Sequence, residues 1–475
     1  MNAIQLCWLR NDLRCTDNQA LWHASQQGPV VAVWLISGDT WKAHDDAPVK
    51  IDFWLRNLRE LGLSLATLNI PLRIIDVGTW SHCAEALLEL ASQLNAQGLF
   101  FNDEYGIHEQ ARDAEVERKF QHAGLDCRRF TDQLLFAPTS LKTQAGTPFK
   151  VFSQFRRQAY AQLHSHLPAC LPAPQRQSAL PLTSDTPPAQ LDDFPAASPL
   201  QQQLWPAGEA AAQQRLEQFC HDALMDYHAT RDRPDLQGTS QLSPYLVSGI
   251  LSVRQCLHAA LRVNQGEFAS GSPGAVAWIN ELLWREFYKY ILVNFPRVSR
   301  HRAFRPATEA IPWRNDPAAL EAWQQGRTGF PIIDAAMRQL ATTGWMHNRL
   351  RMLCAMFLSK NLLLDWRSGE RWFMRQLIDG DLAANNGGWQ WSASTGTDAA
   401  PYFRLFNPIS QARKFDPQGD FIRQWVSELA NTPTVSIHAP QPDSLLKDND
   451  YPAPIIDLAS SRERALTAFR ELATP

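Results

Sequence analysis

Residues 30–36, Val-Val-Ala-Val-Trp-Leu-Ile, form an unbroken apolar run that is rich in β-branched side chains. This length and composition predict a buried strand. Three more such runs occur in the first 130 residues, at 4–9, 72–77 and 98–102. The segments between them carry apolar residues at helical spacing, at 51–68, 82–95 and 109–122. Alternating strands and helices predict a parallel, doubly wound α/β sheet, whose ligands usually bind at the carboxyl ends of the strands.

The glycine patterns of nucleotide-binding loops are absent from the sequence. No G-x-G-x-x-G follows the first strand, and no G-x-x-x-x-G-K-[ST] occurs anywhere in the chain. Both patterns place backbone N–H groups against phosphates. Their absence weakens a dinucleotide-binding or P-loop interpretation of the N-terminal part.

Length and composition exclude several classes of protein. A chain of 475 residues is expected to form two or three domains, and 45 Lys+Arg against 48 Asp+Glu excludes a disordered polyelectrolyte. No apolar run approaches the ~18 residues that span a bilayer, and residues 1–7 lack the features of a cleavable signal. The eight scattered cysteines include no C-x-x-C, so we expect neither a zinc site nor disulfides. We therefore expect a cytoplasmic protein without a metal or a membrane contact.

A change of composition divides the chain near its middle. Residues 168–206 contain nine prolines, with Ser, Gln and Asp between them and no sustained period. This composition predicts a long linker laid over the surface and stiffened by polyproline II, and a disordered insertion is an equally good interpretation. We predict an α/β domain at 1–135, an interdomain linker at 136–208 and a helical domain at 209–475.

The C-terminal half is helical in pattern, basic and rich in tryptophan. Apolar residues recur at helical spacing in four segments, 280–293, 331–342, 345–359 and 370–378. Ten of the 17 tryptophans lie between Trp278 and Trp425. Residues 276–425 hold 19 Lys+Arg against 13 Asp+Glu, whereas residues 1–150 hold 14 against 18. Cations and aromatic faces together suit a nucleic-acid surface, and a large helical core with solvated arginines explains the same counts equally well.

Residues 379–391, Asp-Gly-Asp-Leu-Ala-Ala-Asn-Asn-Gly-Gly-Trp-Gln-Trp, lie between helical patterns. Two acids, three amides and three glycines predict neither a stable helix nor a strand. We therefore predict a loop that lines a site and fixes a polar ligand through carboxylates and amides. A buried turn with Asp and Asn as helix caps is the structural alternative. The pair Trp389 and Trp391 favours a flat aromatic ligand or a DNA base.

Three weaker features have structural alternatives of their own. Residues 238–243, Gly-Thr-Ser-Gln-Leu-Ser, open a helical run at 244–250, where hydroxyl and N–H groups could bind phosphate, although every helix cap has this pattern. Asn348 and Met352 are four residues apart on one helical face, but core packing is the usual role of methionine. The neighbouring His347 is expected to be a hydrogen-bonded structural histidine.

Glu281 lies on an aromatic stripe of a predicted helix, three residues from both Trp278 and Trp284. A carboxylate among aromatic rings is unfavourable to bury unless it has a partner. This setting indicates a site.

These motifs together resemble the photolyase/cryptochrome family. The resemblance begins with Trp8-Leu9-Arg10-Asn11-Asp12-Leu13-Arg14 and Asp17-Asn18. It continues through 238–243, 278–288, 345–352 and 379–404, and is loosest in the proline-rich linker and the last 40 residues. Within the family, the chain is most similar to the bacterial class I cyclobutane pyrimidine dimer photolyases. The resemblance implies an N-terminal α/β domain, a long connection and an all-α domain that binds FAD.

The resemblance also implies a role for each residue that matches a family motif. Asn385 would lie beside flavin N5 and favour the reduced forms, and Arg351 would pair with Asp379. The residues that would hold FAD are Tyr227, Thr239, Ser240, Gln241, Leu242, Ser243, Trp278, Arg351, Asp379, Gly380, Asp381 and Asn385. Those that would contact DNA are Arg231, Glu281, Trp284, Tyr288, Asn348, Arg349, Arg351 and Gln411. The catalytic contacts to a flipped-out dimer would come from Glu281, Trp284, Asn348, Met352 and Trp391.

Three tryptophans match a further feature of the family, and two positions distinguish this chain from other family members. Trp389, Trp366 and Trp313 match the chain that photoreduces oxidised flavin by electron hopping. The (6-4) photolyases and animal cryptochromes carry histidine at the positions of Asn348 and Met352, which this chain does not.

A second, light-harvesting chromophore is also implied. His44 and Glu109 match residues that bind methenyltetrahydrofolate in some class I members. However, His108, Ser299 and Arg300 replace the asparagine, cysteine and lysine of those members. Arg300 keeps the positive charge in a different geometry. Despite these replacements, the resemblance implies methenyltetrahydrofolate as the antenna.

The implied function is light-driven repair of cyclobutane pyrimidine dimers in DNA, by electron transfer from excited reduced FAD to a flipped-out dimer. We expect a carbon–carbon lyase that acts as a monomer, without an obligate protein partner, on DNA of the cytoplasmic nucleoid. The main alternative is a flavin blue-light photoreceptor that signals through a partner without repair. A non-enzymatic nucleic-acid-binding module would explain the basic half but not residues 379–385.

Overall fold

Five parallel strands form a single sheet in the order β3-β2-β1-β4-β5 in the computed structural model, which describes residues 3–440 and 450–472. The strands are β1 (Gln5–Leu9), β2 (Val30–Ile36), β3 (Leu72–Asp76), β4 (Gly98–Asn102) and β5 (Asp126–Phe130). The central strand β1 pairs with β2 and β4. The order reverses at β1, as in a doubly wound fold. The predicted α/β class is confirmed.

Strand β5 was not predicted from the sequence. Its residues, Asp-Cys-Arg-Arg-Phe, include three charged side chains and lie at the edge of the sheet, half-buried or exposed. An edge strand needs no apolar run, because one side of it faces solvent. The hydrophobic pattern therefore shows the four strands that carry apolar runs, β1 to β4, and misses this one.

Helices account for most of the remaining described residues. In chain order they are α1 (Gln19–Gln27), α2 (Gly38–Ala43), α3 (Pro48–Thr67), α4 (Cys83–Leu94), α5 (Ile107–His122), α6 (Phe152–Ser165), α7 (Pro199–Leu204), α8 (Glu209–Asp222), α9 (Tyr227–Thr230), α10 (Ser243–Val247), α11 (Val253–Val263), α12 (Pro273–Asn294), α13 (Pro296–Ser299), α14 (Pro317–Gln324), α15 (Pro331–Thr343), α16 (Asn348–Met356), α17 (Trp366–Met374), α18 (Leu382–Ser392), α19 (Pro408–Phe415), α20 (Asp420–Trp425), α21 (Thr434–Ile437) and α22 (Leu458–Glu471). Short 3₁₀ segments lie at Trp80–His82, Pro306–Ala310 and Ser427–Leu429, and a π-helical turn at Phe357–Asn361.

The described residues form two compact units. The first comprises the residues up to Met225 together with Ser240–Pro296, and the second comprises Asp226–Thr239 with the residues from Arg297 onward. The first unit contains the whole sheet, and the second is built from helices. The division into functional domains at residues 135 and 208 stays a prediction.

The proline-rich linker is hydrogen-bonded to the sheet of the first unit. Asp185 accepts a bond from the N–H of Ile74 at 2.8 Å, and its own N–H donates to the carbonyl of Leu72 at 2.8 Å. Gln177 bonds to Val30 and Asn69 in the same manner. The linker thus satisfies the outer edge of β3, which would otherwise present unpaired backbone groups. Of the two interpretations of this segment, the surface-laid linker is correct.

Three predicted helices have different bounds in the structure. The run at 345–359 forms α16 from Asn348 and then the π-helical turn, because His347 caps the helix start. The run at 370–378 forms α17, which begins at Trp366 where Asp365 accepts a bond from the N–H of Arg367. The run at 244–250 forms only α10, which ends before Gly249 with its φ of +63°. Local caps, which hydrophobic spacing does not show, set these ends.

The prediction of a loop at 379–391 was wrong. Only Asp379 to Asp381 are non-helical, and α18 begins at Leu382. Asp381 caps this helix by accepting a hydrogen bond from the N–H of Ala384 at 2.9 Å. Residues Ala383, Asn386, Trp389 and Gln390 form one buried face. Packing of that face outweighs the low helix propensity of the glycines and asparagines.

Each unit has its own apolar core. In the first unit, Trp8, Val31, Val33 and Phe101 pack beneath α4 and α5. In the second unit, a larger cluster includes Trp323, Trp366, Trp389, Met346 and Phe373. Among the described residues, no helix is long and apolar enough to cross a bilayer.

Candidate functional site

A carboxylate–guanidinium pair marks the start of the polar segment in the second unit. One terminal nitrogen of Arg351 donates to both carboxylate oxygens of Asp379, at 3.0 and 2.8 Å. The Nε of Arg351 donates to the carbonyl of Met346 at 2.8 Å. The Asp379 side chain is buried and that of Arg351 is about a quarter exposed. The predicted pair is therefore present, and it joins α16 to the residues that precede α18.

Helix α18 carries a buried network of amides. Asn385 Nδ2 donates to the carbonyl of Glu370 at 2.9 Å, and Asn386 Nδ2 donates to the Glu370 carboxylate at 2.9 Å. Gln390 Nε2 donates to Asn386 Oδ1 at 2.8 Å. Half-exposed His301 contacts the other Glu370 oxygen through Nδ1 at 3.0 Å. This network fixes the rotation of α18 and with it the position of Asn385.

Helix α16 presents the predicted pair Asn348 and Met352 on its outer face. Asn348 is exposed and Met352 partly exposed, whereas Leu350 and Leu353 between and beyond them are buried. Core packing therefore does not explain Met352. His347 accepts a bond from the N–H of Arg349 at 3.2 Å, and burial lowers its pKa to about 4. His347 is thus a neutral, capping histidine, as expected.

Cationic side chains surround this face of the second unit. Arg349 pairs with Asp232 at 2.7 Å and lies over the ring of Phe415 at 4.7 Å. The guanidinium of half-buried Arg231 lies 5.8 Å from the ring centre of buried Tyr227. Gln411 is half-buried on α19.

In the sequence, the boundary between the two units lies within the predicted hydroxyl-rich segment, between Thr239 and Ser240. Gly238 lets Thr230 approach closely, because a Cβ would lie 2.6 Å from the Thr230 Cβ. Gln241, with a left-handed φ of +50°, accepts a bond from Arg215 at 3.0 Å. Leu242 is buried, and Thr239, Ser240 and Ser243 are half-buried. Trp278 of α12 is buried, and its ring centre lies 5.1 Å from that of Phe219.

Helix α12 of the first unit presents Glu281, Trp284 and Tyr288, all half-buried. Trp284 stacks on Phe152 of α6 with ring centroids 3.7 Å apart, and Tyr288 lies 5.6 Å from Trp284. The three side chains follow at spacings of three and four residues, so they share one helical face. The face combines one carboxyl with aromatic rings, as the sequence predicted.

The three predicted electron-transfer tryptophans lie in the second unit. Trp366 and Trp389 belong to its core cluster, and partly buried Trp313 packs against that cluster. Trp389 lies directly on Gly369 of α17, where a Cβ would be 2.6 Å from the indole Cζ3. The indole N–H groups of Trp366 and Trp389 have no hydrogen-bond partner among the described residues. Trp391, two residues from Trp389, is only partly buried.

Two of the predicted antenna residues, His44 and Glu109, belong to the first unit. The His44 ring lies 4.7 Å from Trp80 and 5.6 Å from His108, the neighbour of Glu109. Burial and the nearby Glu104 raise the pKa of Glu109 to about 7, and burial lowers the pKa of His44. Arg300 is exposed in the second unit.

The structure also gives roles to residues that sequence analysis missed. Charged residues in the stretch 10–17 form buried ion pairs: Arg14 with Asp132 at 2.6 Å, and Asp17 with Arg254 at 2.9 Å. The sequence places Glu370 shortly before the polar segment, but it does not show which residues the Glu370 side chain contacts. Among the described residues, no cluster of His, Cys, Asp or Glu could hold a metal ion.

Comparison with protein families gives two matches. Residues 278–471 match the family described as the FAD binding domain of DNA photolyase, and residues 5–175 match the family described as DNA photolyase. The deoxyribodipyrimidine photo-lyase of Escherichia coli K12 is 42% identical over 468 residues, which cover 98% of both chains. That of Vibrio cholerae is 41% identical over 473 residues, covering 98% of this chain and 99% of its own.

Solved structures of similar fold include photolyases and a cryptochrome. A class III photolyase from Agrobacterium tumefaciens has a TM-score of 0.90 and 34% identity, covering all of this chain and 98% of its own. The Synechocystis cryptochrome has a TM-score of 0.85 and 28% identity, covering 98% of this chain and 99% of its own. A Sulfolobus tokodaii photolyase that holds two FAD molecules has a TM-score of 0.81 and 28% identity, covering 98% of this chain and all of its own.

Proposed function

This chain belongs to the DNA photolyase family, and from that premise we propose that it repairs cyclobutane pyrimidine dimers in DNA with light. The observation that carries the proposal is the 42% identity to a deoxyribodipyrimidine photo-lyase over 98% of both chains. The reaction makes the protein a carbon–carbon lyase.

The side chains present suit FAD, which the matched FAD-binding family implies as the cofactor. Hydroxyl groups of Thr239, Ser240 and Ser243 suit a pyrophosphate, and the polar edge of an isoalloxazine ring suits carboxylate, guanidinium and amide groups. Arg351 and Asp379 neutralise each other's charge, so the segment before α18 can face a ligand without an uncompensated carboxylate. The residues that would hold FAD are Tyr227, Thr239, Ser240, Gln241, Leu242, Ser243, Trp278, Arg351, Asp379, Gly380, Asp381 and Asn385.

Asn385 supplies a hydrogen-bond acceptor to the flavin ring. One of its two amide N–H groups donates to the carbonyl of Glu370, which fixes the orientation of the side chain. The amide oxygen can accept a hydrogen bond from a protonated ring nitrogen, and this favours the reduced cofactor. When bound, reduced FAD supplies a light-driven one-electron transfer that splits the cyclobutane ring and recovers the electron, without net redox change.

DNA is bound by the arginines of the second unit and the aromatic face of α12. Arg231, Arg349 and Arg351, together with Gln411, contact phosphates independently of sequence. The dimer must leave the duplex to reach the cofactor, and photolyases are among the enzymes that flip their target. Since the lesion weakens stacking and pairing, flipping is easiest there, which gives selectivity.

The flipped dimer is held by few polar groups and several apolar ones. Trp284, Trp391 and Met352 contribute apolar surface, and Tyr288 lies beside Trp284. Glu281 and Asn348 contribute the hydrogen bonds to base edges. The exposure of Asn348 and Met352 supports this role, since neither is used in the core.

Trp389, Trp366 and Trp313 return oxidised FAD to its reduced form by passing an electron inward from the surface. Because the indole N–H groups of Trp366 and Trp389 have no acceptor among the described residues, an oxidised indole keeps its proton and stays a strong oxidant. The electron vacancy is therefore passed on to the next tryptophan rather than trapped.

A second chromophore, methenyltetrahydrofolate, is bound by the cluster of His44, Glu109 and Trp80. The proximity of His44 to Trp80 and His108 supports this assignment, with Arg300 as a further contact. A buried carboxyl with a pKa near 7 can share a proton with the amide edge of a pterin. Reconstitution with methenyltetrahydrofolate, followed by fluorescence excitation spectra, tests for energy transfer to the flavin.

The decisive experiment follows ring opening directly. FAD-reconstituted, reduced protein is bound in the dark to an oligonucleotide with one thymine dimer and then exposed to blue light. Restoration of the intact thymines supports repair. Photochemistry of the flavin without ring opening would support the photoreceptor alternative. The likeness to the Synechocystis cryptochrome is the reason for testing this alternative. We propose that the protein acts as a monomer on nucleoid DNA in the cytoplasm, which sedimentation and fractionation would test.

A further inference from the structure

The half-buried side chain of Trp313 leads into a short row of aromatic rings within the second unit. Phe469 of α22 lies with its ring centre 6.5 Å from Trp313, at 84° to it. Tyr402 lies on the same phenylalanine, with ring centroids 6.1 Å apart and planes 14° from parallel. Phe469 is 5% exposed, whereas Tyr402 is 38% exposed. The row therefore runs from the last predicted tryptophan to a phenol that water reaches.

A buried lysine fixes the turn that carries Tyr402. Lys360 Nζ donates to the carbonyl of Arg404 at 2.9 Å and to that of Pro401 at 3.4 Å. The N–H of Arg404 also donates to the carbonyl of Pro401 at 2.9 Å. Both ends of the turn around Tyr402 are thus held by fully buried Lys360, and the ring keeps its place on Phe469.

We propose that Tyr402 is the terminal electron donor of the tryptophan chain. The proposal rests on the proposed photoreduction by Trp389, Trp366 and Trp313, and adds a residue to it. One electron passes from the Tyr402 phenol to the oxidised Trp313 indole, and the phenolic proton leaves to water. Trp313 is restored, and Tyr402 becomes a neutral phenoxyl radical. A thiol in solution later returns a hydrogen atom to it.

The chemistry of the two end residues gives this transfer its direction. A phenol that loses its proton to water as it is oxidised becomes a neutral radical, which does not attract an electron as an indole radical cation does. Phe469 is not oxidised at such potentials, so it serves only as the packed medium between the two rings. Moving the vacancy to an exposed side chain separates it from the cofactor and lengthens the time before charge recombination.

Laser-flash absorption and trapped-radical EPR on oxidised, FAD-loaded protein test the proposal. The wild type is expected to lose the tryptophan radical signal as a tyrosyl signal rises. Tyr402→Phe keeps the ring stack but lacks the hydroxyl, so it should show no tyrosyl signal and a tryptophan radical at least tenfold longer-lived. Phe403→Leu, which removes the adjacent exposed ring, should behave as wild type.

Two other results overturn the proposal, in distinguishable ways. If the tryptophan radical decays equally fast in wild type and Tyr402→Phe, or if the tyrosyl signal survives in that variant, Tyr402 is not the donor and the tryptophan chain stands. If no tryptophan radical forms in the wild type, and Trp313→Phe changes nothing, the proposed photoreduction itself fails and the proposal with it.

Discussion

Trp284 lies flat on Phe152, with ring centroids 3.7 Å apart and ring planes 12° from parallel. Phe152 opens α6 and is 6% exposed, whereas Trp284 is half-buried. One face of the indole is therefore covered by protein and cannot rotate away from α12. A ring held in this way can stack on a flipped base without first losing side-chain entropy. The stack makes α6, which the sequence placed in a linker, part of the proposed dimer site.

Phe152→Leu should weaken binding of dimer-containing DNA while leaving undamaged duplex unaffected. The lost aromatic pair is worth about 0.5–1.5 kcal/mol. At roughly 1.4 kcal/mol per factor of ten, dimer affinity should fall between about twofold and tenfold. Fluorescence titration with dimer and intact oligonucleotides measures both affinities.

The matched control is Phe155→Leu, one turn along the same helix. Phe155 is equally buried and contacts Phe287 at 5.2 Å. The two variants should lose similar free energy of unfolding, because both remove a buried ring, but only Phe152→Leu should lose dimer affinity. Equal losses of affinity in the two variants would assign the stack a purely structural role.

Gly369→Ala should displace Trp389 and slow photoreduction. A Cβ at position 369 would overlap the Trp389 ring, meeting Cη2 and lying 2.6 Å from Cζ3. Overpacking of this kind lowers the free energy of unfolding by about 1–3 kcal/mol. The rate of flavin photoreduction, followed by absorption under continuous light, should fall several-fold.

Gly388→Ala on α18 provides the contrast to Gly369→Ala. A Cβ at position 388 would meet nothing within 4 Å. Replacing a helical glycine with alanine should then raise the free energy of unfolding by up to about 1 kcal/mol. Photoreduction should continue at the wild-type rate. If photoreduction were slowed in both variants, the rate would depend on glycine in these helices in general rather than on the Gly369–Trp389 contact.

The sequence predicted the inner sheet and most helices because their apolar spacing is local information. It missed the arrangement of charges, because ion partners lie far apart in the chain. Asp17 and Arg254 are one example, at 2.9 Å, and Arg14 and Asp132 are another. These motif residues link distant segments of the first unit. The motif's pattern alone gives no indication of that.

The polar segment at 379–391 shows where propensity reasoning stops. Glycine and asparagine content predicted a loop, yet α18 forms because Asp381 caps it and Trp389 packs on Gly369. The cap is a local contact, but the packing of Trp389 on Gly369 is tertiary, and it outweighs propensities of about 1 kcal/mol per residue or less. That the residues of this segment form the functional site stays a prediction, made because acids and amides are unusual between two helices.

Lys360→Met should change how stability depends on pH. Burial lowers the pKa of the Lys360 ammonium to about 7, below the ~10.4 of a free lysine. Between these values the unfolded chain binds more protons than the folded one, so the contribution of Lys360 to the free energy of unfolding rises with pH. Its unfavourable effect is complete below pH 7 and lost above about pH 10.4.

Urea unfolding of wild type and Lys360→Met across pH 6–9 measures this effect. The difference in free energy of unfolding should shift in favour of the wild type by up to about 1.4 kcal/mol per pH unit above pH 7. The lost hydrogen bonds to Pro401 and Arg404 add only a constant offset. Parallel pH profiles would mean that Lys360 titrates as an ordinary lysine.

Glu281 lies between Trp278 and Trp284 on α12, and the obvious structural role for it is an ion pair with Arg285, four residues along. The structure gives Arg285 other contacts. Its Nη1 donates to the carbonyl of Gln133 at 2.6 Å, and it lies 3.6 Å from the Glu286 carboxylate. The two roles of Glu281, in stabilising α12 or toward the dimer, are separated by the repair yield of its variants.

Glu281→Ala should lower the repair yield per absorbed photon more than it lowers dimer affinity. Phosphate contacts dominate affinity, whereas a hydrogen bond between Glu281 and the dimer, provided that Glu281 shares a proton, strengthens when the dimer gains an electron and negative charge collects on its carbonyls. We expect a several-fold lower yield at saturating dimer with pre-reduced flavin, and a smaller loss with Glu281→Gln, whose amide can still donate. If Glu281 only stabilises α12, Glu281→Ala should lower the thermal stability and keep the wild-type yield per bound dimer. That result would contradict the catalytic role.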